Sequence, residues 1–294
     1  MILRFVIIRL LLHKLTKTRL ITKGTTNQDI ASITINNNRS TYTYETMESN
    51  KKQKLFTTRQ RTNSRQERPS SRWSLRGKNF VVTGGTKGIG KAVIKDLLDH
   101  DAAGILFCSL SPCNFTEYLT SMNLDPNLSY TKGNADDGLP VIKHVICDVS
   151  TSEGREVLIR TAKEAFGGKD NDINDALPCV HGLINNVGIN VRKTILEQTP
   201  EEYHAMVRTN VDAAYFLCRM FSNLFVEGNS TIVNVSSAAG VQSSGTGAAY
   251  GMTKAAINHF TRILACEWAD RKIRVNAVTP WMTVSLKKNA FFKS

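Results

Sequence analysis

Apolar residues in this chain fall into short runs set between stretches of helical spacing. Phe80-Val-Val-Thr83 is one such run, rich in β-branched residues, and 104–109, 143–147, 181–185, 230–235 and 273–277 repeat it. Runs this short, apolar almost throughout, predict strands buried on both faces. Ala92, Val93, Leu97 and Leu98 share one face of a helix over 91–100, and Val157, Leu158, Ala162 and Ala165 do the same over 153–166. Thr199-Pro-Glu-Glu202 predicts a helix start, with an N-cap Thr, Pro at the first helical position and a capping-box Glu. That helix should run through Asn210 to about Phe225, and a longer one should fill 248–269. Strand and helix alternate along the chain, which predicts the α/β class: a doubly wound parallel sheet with helices on both faces.

Composition narrows where this fold lies. The 294 residues suffice for one large domain with extensions, and 41% are hydrophobic, enough for a sizeable core. The net charge of +13 is not spread evenly. Residues 1–78 hold 17 of the 38 Lys and Arg but only 4 of the 25 Asp and Glu, which leaves 21 of each sign for the rest. The ordered part therefore offers no compositional case for nucleic acid. Residues 1–28 are basic, apolar at the start and lack Asp and Glu. They fit a mitochondrial or plastid presequence, against a cytoplasmic protein starting at Met47. Residues 29–72 are rich in Asn, Thr, Ser, Arg and Gln and read as a disordered basic linker. No apolar run approaches the ~20 residues of a membrane span. The six cysteines show no Cys-x-x-Cys and no zinc-type spacing, so no metal is expected.

The chemistry gathers at strand ends. Gly84, Gly88 and Gly90 punctuate Thr83-Gly-Gly-Thr-Lys-Gly-Ile-Gly90, directly between the first strand and the first helix. Glycine there lets backbone N–H groups approach a pyrophosphate at a helix N-terminus, so the turn, with Thr86, Lys87 and Ile89, predicts a Rossmann-like dinucleotide site. The second strand ends Cys108-Ser-Leu-Ser-Pro112, without the carboxylate that would hold the NAD ribose, while Lys87 stands in the turn. This favours NADP over NAD. Ser236 and Ser237 close the fifth strand, where a Ser can serve chemistry or merely cap a turn. Asn210 is polar among Val207, Val211 and Ala214, as a site residue or as a satisfied structural amide. Tyr250 and Lys254 lie one helical turn apart, where the ammonium would favour the phenolate; a surface pair has the same spacing.

Together these residues resemble the short-chain dehydrogenase/reductase family over 73–283. The resemblance is carried by the glycine-rich turn, Asp148, Asn185-Asn186-Val187-Gly188, Asn210, a Ser thirteen residues before the Tyr, Tyr250-Gly-Met-Thr-Lys254, and Arg274-Val-Asn276 leading to Pro280. Arg72-Trp-Ser-Leu-Arg-Gly-Lys78 and Leu264-Ala-Cys-Glu-Trp-Ala269 are most similar to plant tropinone-reductase-like members. The resemblance implies a single-domain NADP(H)-dependent oxidoreductase that interconverts a carbonyl and an alcohol by hydride transfer. Tyr250 would be the proton donor and acceptor, Ser237 would hydrogen-bond the substrate oxygen, Lys254 would lower the Tyr pKa and bind the nicotinamide ribose, and Asn210 would hold a water in a proton relay. Asp148 would contact the adenine, and Asn185, Val187 and Gly188 would line the adenosine side. The implied partner is a small carbonyl or alcohol.

Three departures from the family pattern shape the expectations. Leu110 stands where NADP-dependent relatives carry Arg. Residues 111–142 and 168–180 form longer connections than usual, expected to loop over the surface. Past Pro280 the family usually continues through a substrate-covering segment and a last edge strand, and 284–294 does not resemble them. That strand is expected to be missing, with homo-oligomerisation tied to a complete C-terminus. The alternatives are a 3-oxoacyl-thioester reductase and a catalytically impaired nucleotide-binding protein.

Overall fold

The computed structural model describes residues 74–127, 130, 139–167 and 178–281, together with the backbone of two short strands nearer the N-terminus. The chain divides into two units, one of them His13–Arg68. Within that unit Ile33–Asn37 pairs antiparallel with Ser40–Tyr44 as a hairpin inside the stretch read as linker. The rest of 29–72, the possible presequence 1–28 and the atypical 284–294 lie outside the described residues.

The other unit carries the α/β fold. Its strands are β1 (Asn79–Thr83), β2 (Gly104–Ser109), β3 (Val141–Ile146), β4 (Gly182–Asn185), β5 (Thr231–Val235) and β6 (Arg274–Val278). All neighbours pair in parallel, in the order β3-β2-β1-β4-β5-β6. The helices are α1 (Gly88–Asp99), α2 (Phe115–Thr120), α3 (Ser152–Phe166), α4 (Pro200–Val207), α5 (Ala213–Met220) and α6 (Ala248–Glu267). The period of two sorts the strands between two cores. Phe80, Val82, Phe107 and Ile184 meet Val93, Ile94 and Leu97 of α1 on one face. Val81, Leu106, Leu183 and Ile232 meet Leu158 of α3, Leu217 of α5 and Leu264 of α6 on the other. Phe80 and Phe107 are essentially inaccessible, and each contributes on the order of 2–3 kcal/mol by burial. Among the described residues β3 and β6 border the sheet.

The order turns back between β1 and β4, since β1 leads outward to β2 while β4 starts the opposite half. The crevice beyond the carboxyl ends of β1 and β4 is where such sheets take ligands. The glycine-rich turn, 186–190, the two serines after β5 and the start of α6 all open onto that edge.

Two expectations need correction. The segment 111–142 is not simply a surface loop. Asn114 caps α2 by accepting from Glu117 N, and Tyr118, Leu119, Met122 and Tyr130 are buried in the first core. Phe115, Tyr118, Leu119 and Met122 are spaced i, i+3, i+4, i+7, a helical signature masked by polar neighbours and the shortness of the helix. Residues 131–138, like 168–177, lie outside the described residues. Second, the helix starting at Pro200 is interrupted. The Thr199–Glu202 capping box forms as expected, but Arg208–Asp212 adopts π geometry before α5 resumes. A π turn adds one residue to the helical circuit and is concentrated at functional sites.

Candidate active site

The site is assembled from four elements. At the glycine-rich turn, Gly84 and Gly88 have φ of +69° and +58°, which side chains with a Cβ adopt at a cost. Gly90 answers to a different constraint: a Cβ there would lie 2.2 Å from Gly84 O. Lys87, exposed, is the N-cap of α1; it makes no side-chain cap, and no acid occupies the first turn. The opening N–H groups of α1 thus face an unobstructed surface, since a Cβ on Gly88 would meet nothing within 4 Å. Unpaired helix N–H groups without a competing carboxylate suit an anion, so the cradle fits the pyrophosphate of a dinucleotide. Tyr118 closes it from behind, its hydroxyl donating to Gly85 O at 2.9 Å. Burial pushes that phenol upward, so it stays a neutral donor.

Sequence reasoning missed the side chain that holds this turn in place. Asn186 Nδ2 donates to Thr83 O at 2.9 Å and Gly84 O at 3.1 Å. The Thr83 hydroxyl in turn accepts from Asn186 N at 2.9 Å and Val187 N at 3.1 Å. The ends of β1 and β4 are thereby locked across the crevice. Only the geometry shows this, although an Asn beside the fourth strand was the available signal. Asn185, expected on the adenosine side, turns the other way; its Nδ2 donates to Asn234 Oδ1 at 2.8 Å inside the sheet. Val187 packs against the second core, with a methyl 3.2 Å from where a Gly84 Cβ would stand. Asp148 is exposed past β3 and accepts from Ser150 N at 2.9 Å. Thr86 is half-buried and Ile89 reaches the crevice.

The two serines separate cleanly. Ser236 is buried and donates to Lys254 O at 2.9 Å, so its hydroxyl is spent clamping β5 to α6. Ser237 is half-buried and accepts from Ala239 N at 3.2 Å. It caps a short 3-10 turn and keeps its own proton for another partner. Gly240 allows this turn to rest on α6, because a Cβ would lie 2.4 Å from the Lys254 carbonyl carbon.

Tyr250 and Lys254 are one turn apart on α6, the ammonium 5.8 Å from the centre of the phenol ring. Lys254 is 4% exposed and donates to Val235 O at 2.9 Å. Burial lowers its pKa to about 8, so it still carries its charge at neutral pH. Gly188 leaves room for it: a Cβ there would stand 3.1 Å from Nζ. Asn210, in the π segment, is buried and bonded at both ends of its amide. Its Oδ1 accepts from Ile189 N at 2.8 Å, and its Nδ2 donates to Ile189 O at 2.9 Å and Thr253 Oγ1 at 3.0 Å. Thr253 passes the link on to Tyr250 O at 2.8 Å. The loop after β4, the π segment and the first turn of α6 form one hydrogen-bonded unit. Thr253 could have been suspected from its place three residues after Tyr250.

Ser237, Tyr250, Lys254, Asn186 and Gly188 converge on an open cleft of about 220 Å³, completed by Ile89, Ile189, Asn190, Val235, Ser236, Pro280 and Trp281. Two hydroxyls and a buried ammonium stand beside an anion-ready helix end, at the ligand edge of a doubly wound sheet. Fold and site together define a nucleotide-dependent oxidoreductase of the short-chain type. The family profile for short chain dehydrogenase matches residues 78–291, and the chain belongs to the short-chain dehydrogenase/reductase family. Among its relatives are tropinone reductase homologs. One from Arabidopsis thaliana is 41% identical over 211 residues, 71% of each chain. Another, from Datura stramonium, is 38% identical over 212 residues, 72% of this chain and 70% of the relative. Of the solved structures, a 3-oxoacyl-[acyl-carrier protein] reductase of Brucella melitensis with bound NAD superposes with a TM-score of 0.58. It is 24% identical, covering 79% of this chain and 80% of its own. A double mutant of a Serratia marcescens short-chain dehydrogenase/reductase gives 0.57 at 23% identity, covering 70% and 74%. At these identities the structural likeness concerns the fold. Among the described residues no helix is long and apolar enough to cross a membrane, and no cluster of three metal-ligating side chains occurs.

Proposed function

We propose that the protein is an NADP(H)-dependent oxidoreductase that interconverts a small carbonyl compound and its alcohol, with Tyr250 delivering and accepting the proton. The observation that carries this reading is the convergence of the Ser237 and Tyr250 hydroxyls and the Lys254 ammonium on one cleft beside the N-terminus of α1. The tropinone reductase homologs among its relatives support the reaction class.

A nicotinamide dinucleotide, when bound, supplies the hydride. The chain would hold it by the N–H groups opening α1 at the pyrophosphate and by Lys254 and Tyr250 at the nicotinamide ribose, with Asp148 and the 185–188 backbone on the adenosine side. What remains is the protein's own work on the substrate oxygen. As carbon is reduced, negative charge gathers on that oxygen, and donors already in place stabilise it. Ser237 can donate because its lone pair, not its proton, is engaged by Ala239 N. Lys254 is held beside Tyr250, its ammonium 5.8 Å from the centre of the ring in a poorly screened position. Asn210 keeps Ile189 and Thr253 in register, so the loop and helix that present these groups cannot drift apart.

The preference for NADP rests on charge. Lys87 is exposed at the mouth of the cradle, and 109–111 offers Ser, Leu and Ser where a carboxylate would oppose a 2′-phosphate. The decisive experiment is fluorescence titration of the full chain with NADPH and NADH, followed by a carbonyl panel that includes a 3-oxoacyl thioester. NADPH should bind more tightly, and Lys87→Ala should shrink its advantage by about five-fold to ten-fold. Tyr250→Phe should lower kcat by about 10²–10⁴ and weaken nucleotide binding far less, because Lys254 and the N–H groups of α1 remain. Absence of NADPH binding would sink the proposal. Turnover confined to the thioester would favour the acyl-reductase alternative. Binding without turnover, indifferent to Tyr250→Phe, would favour a nucleotide-binding protein that has lost catalysis.

A further inference from the structure

Asn185 does not face the cleft, and its environment gives it another task. The direction of its amide is fixed by a chain of donors. Thr261 Oγ1 donates to Ile257 O at 2.7 Å, so it accepts from Asn234 Nδ2 at 2.9 Å. Asn234 must then present Oδ1 to Asn185 Nδ2, at 2.8 Å, and the second Nδ2 proton of Asn185 points to Cys218 Sγ at 3.5 Å. Reversing Asn185 would set two carbonyl oxygens against each other. Its Oδ1 is left pointing away, buried, with no protein donor. Asn185 is 6% exposed, so an unmatched acceptor there is costly.

That oxygen belongs to a residue lining a small internal cavity, bounded also by Thr209, Asn210, Ala213 and Ala214. Thr209 of the π segment lines the same cavity. In an α-helix Ala213 N would donate to Thr209 O; here it donates to Arg208 O, one residue further back. The Thr209 carbonyl is deprived of that donor. The cavity offers about 10 Å³ to the centre of a water-sized sphere, at the lower limit of roughly 10–15 Å³ that one water requires.

We propose that one buried water occupies this cavity, donating one hydrogen to Asn185 Oδ1 and the other to the Thr209 carbonyl. Two acceptors need a group with two donors, and water is the smallest that has them. The water then joins the end of β4 to the π segment, and Asn185 becomes a positioning residue for Asn210. This second part rests on the reading of Asn210 as a site residue; the water itself does not, so the two can fail separately.

A high-resolution crystal structure of the full chain should show a single water within hydrogen-bond distance of both Asn185 Oδ1 and Thr209 O. An empty cavity, or a protein donor on Asn185 Oδ1, would overturn the site. Ala214→Ser tests it without touching the amides. Its hydroxyl should displace or share the water with the melting temperature little changed, whereas Ala214→Val should lower it. Equal melting temperatures for the two variants would count against a hydrated cavity. Asn185→Leu removes the acceptor. It should lower kcat by about ten-fold to a hundred-fold with the KM for nucleotide nearly unchanged, as for a misplaced reacting group. An unchanged kcat in folded Asn185→Leu would remove the positioning role and leave the water.

Discussion

Lys254 allows the burial of a charge to be measured directly. Its ammonium is 4% exposed, and burial brings its pKa from 10.5 to about 8. Below pH 8 both folded and unfolded chains carry the proton, and the folded state bears the full desolvation penalty. Between 8 and 10.5 the folded chain releases the proton first, so stability rises with pH through this window. Above 10.5 both states are neutral and the gain is complete. One proton per pH unit amounts to about 1.4 kcal/mol, so the window is worth about 3 kcal/mol. Lys254→Met removes the titration while keeping most of the volume. Guanidinium denaturation of both proteins from pH 7 to about pH 11, without nucleotide, gives the difference as a function of pH, and other alkaline groups cancel. The stability of the parent minus that of the variant should climb by about 3 kcal/mol, mostly between 8 and 10.5. At neutral pH the variant loses the bond to Val235 O, worth about 1.5–3 kcal/mol for a charged donor, but is relieved of the buried cation. It should therefore be close to the parent in stability, yet inactive. A difference that stays flat with pH would show that Lys254 is not desolvated as described. A falling one would mean that an acidic partner stabilises the ammonium.

Three further outcomes are expected. Ser237→Ala should lower kcat by about ten-fold or more with stability within about 0.5 kcal/mol; Ser236→Ala should do the reverse, losing about 1–2 kcal/mol with its bond to Lys254 O, as thermal melts and initial rates would show. Asn186→Ala frees Thr83 O and Gly84 O, and nucleotide Kd by fluorescence titration should rise about ten-fold, about 1.4 kcal/mol. Gly90→Ala forces a Cβ onto Gly84 O and should abolish nucleotide binding or soluble expression. Gly88→Ala meets open space and should be limited to the roughly 1–2 kcal/mol of a left-handed alanine.

The sequence alone determined the alternation of strand and helix, because apolar period and turn chemistry are local properties. The runs 104–109 and 181–185 coincide with β2 and β4 to within a residue. The Thr199–Glu202 capping box formed as its spacing required. Family membership was equally legible, since the glycine-rich turn, Ser237, Tyr250 and Lys254 keep their order and spacing. What the tertiary structure decided concerns direction and burial. Neighbouring amides 185 and 186 point to opposite sides because a strand alternates its side chains, one into the sheet and one into the crevice. Adjacent hydroxyls 236 and 237 divide between clamp and cleft for the same reason. The i, i+3, i+4, i+7 face of α2 was present in the sequence, but only packing beneath the glycine-rich turn gave it meaning. The π segment at Asn210 left no local signature, since it depends on Ile189 and Thr253 arriving from distant parts of the chain. Spacing could place Lys254 one turn from Tyr250. It could not show that the lysine is buried, where its charge is least screened by water.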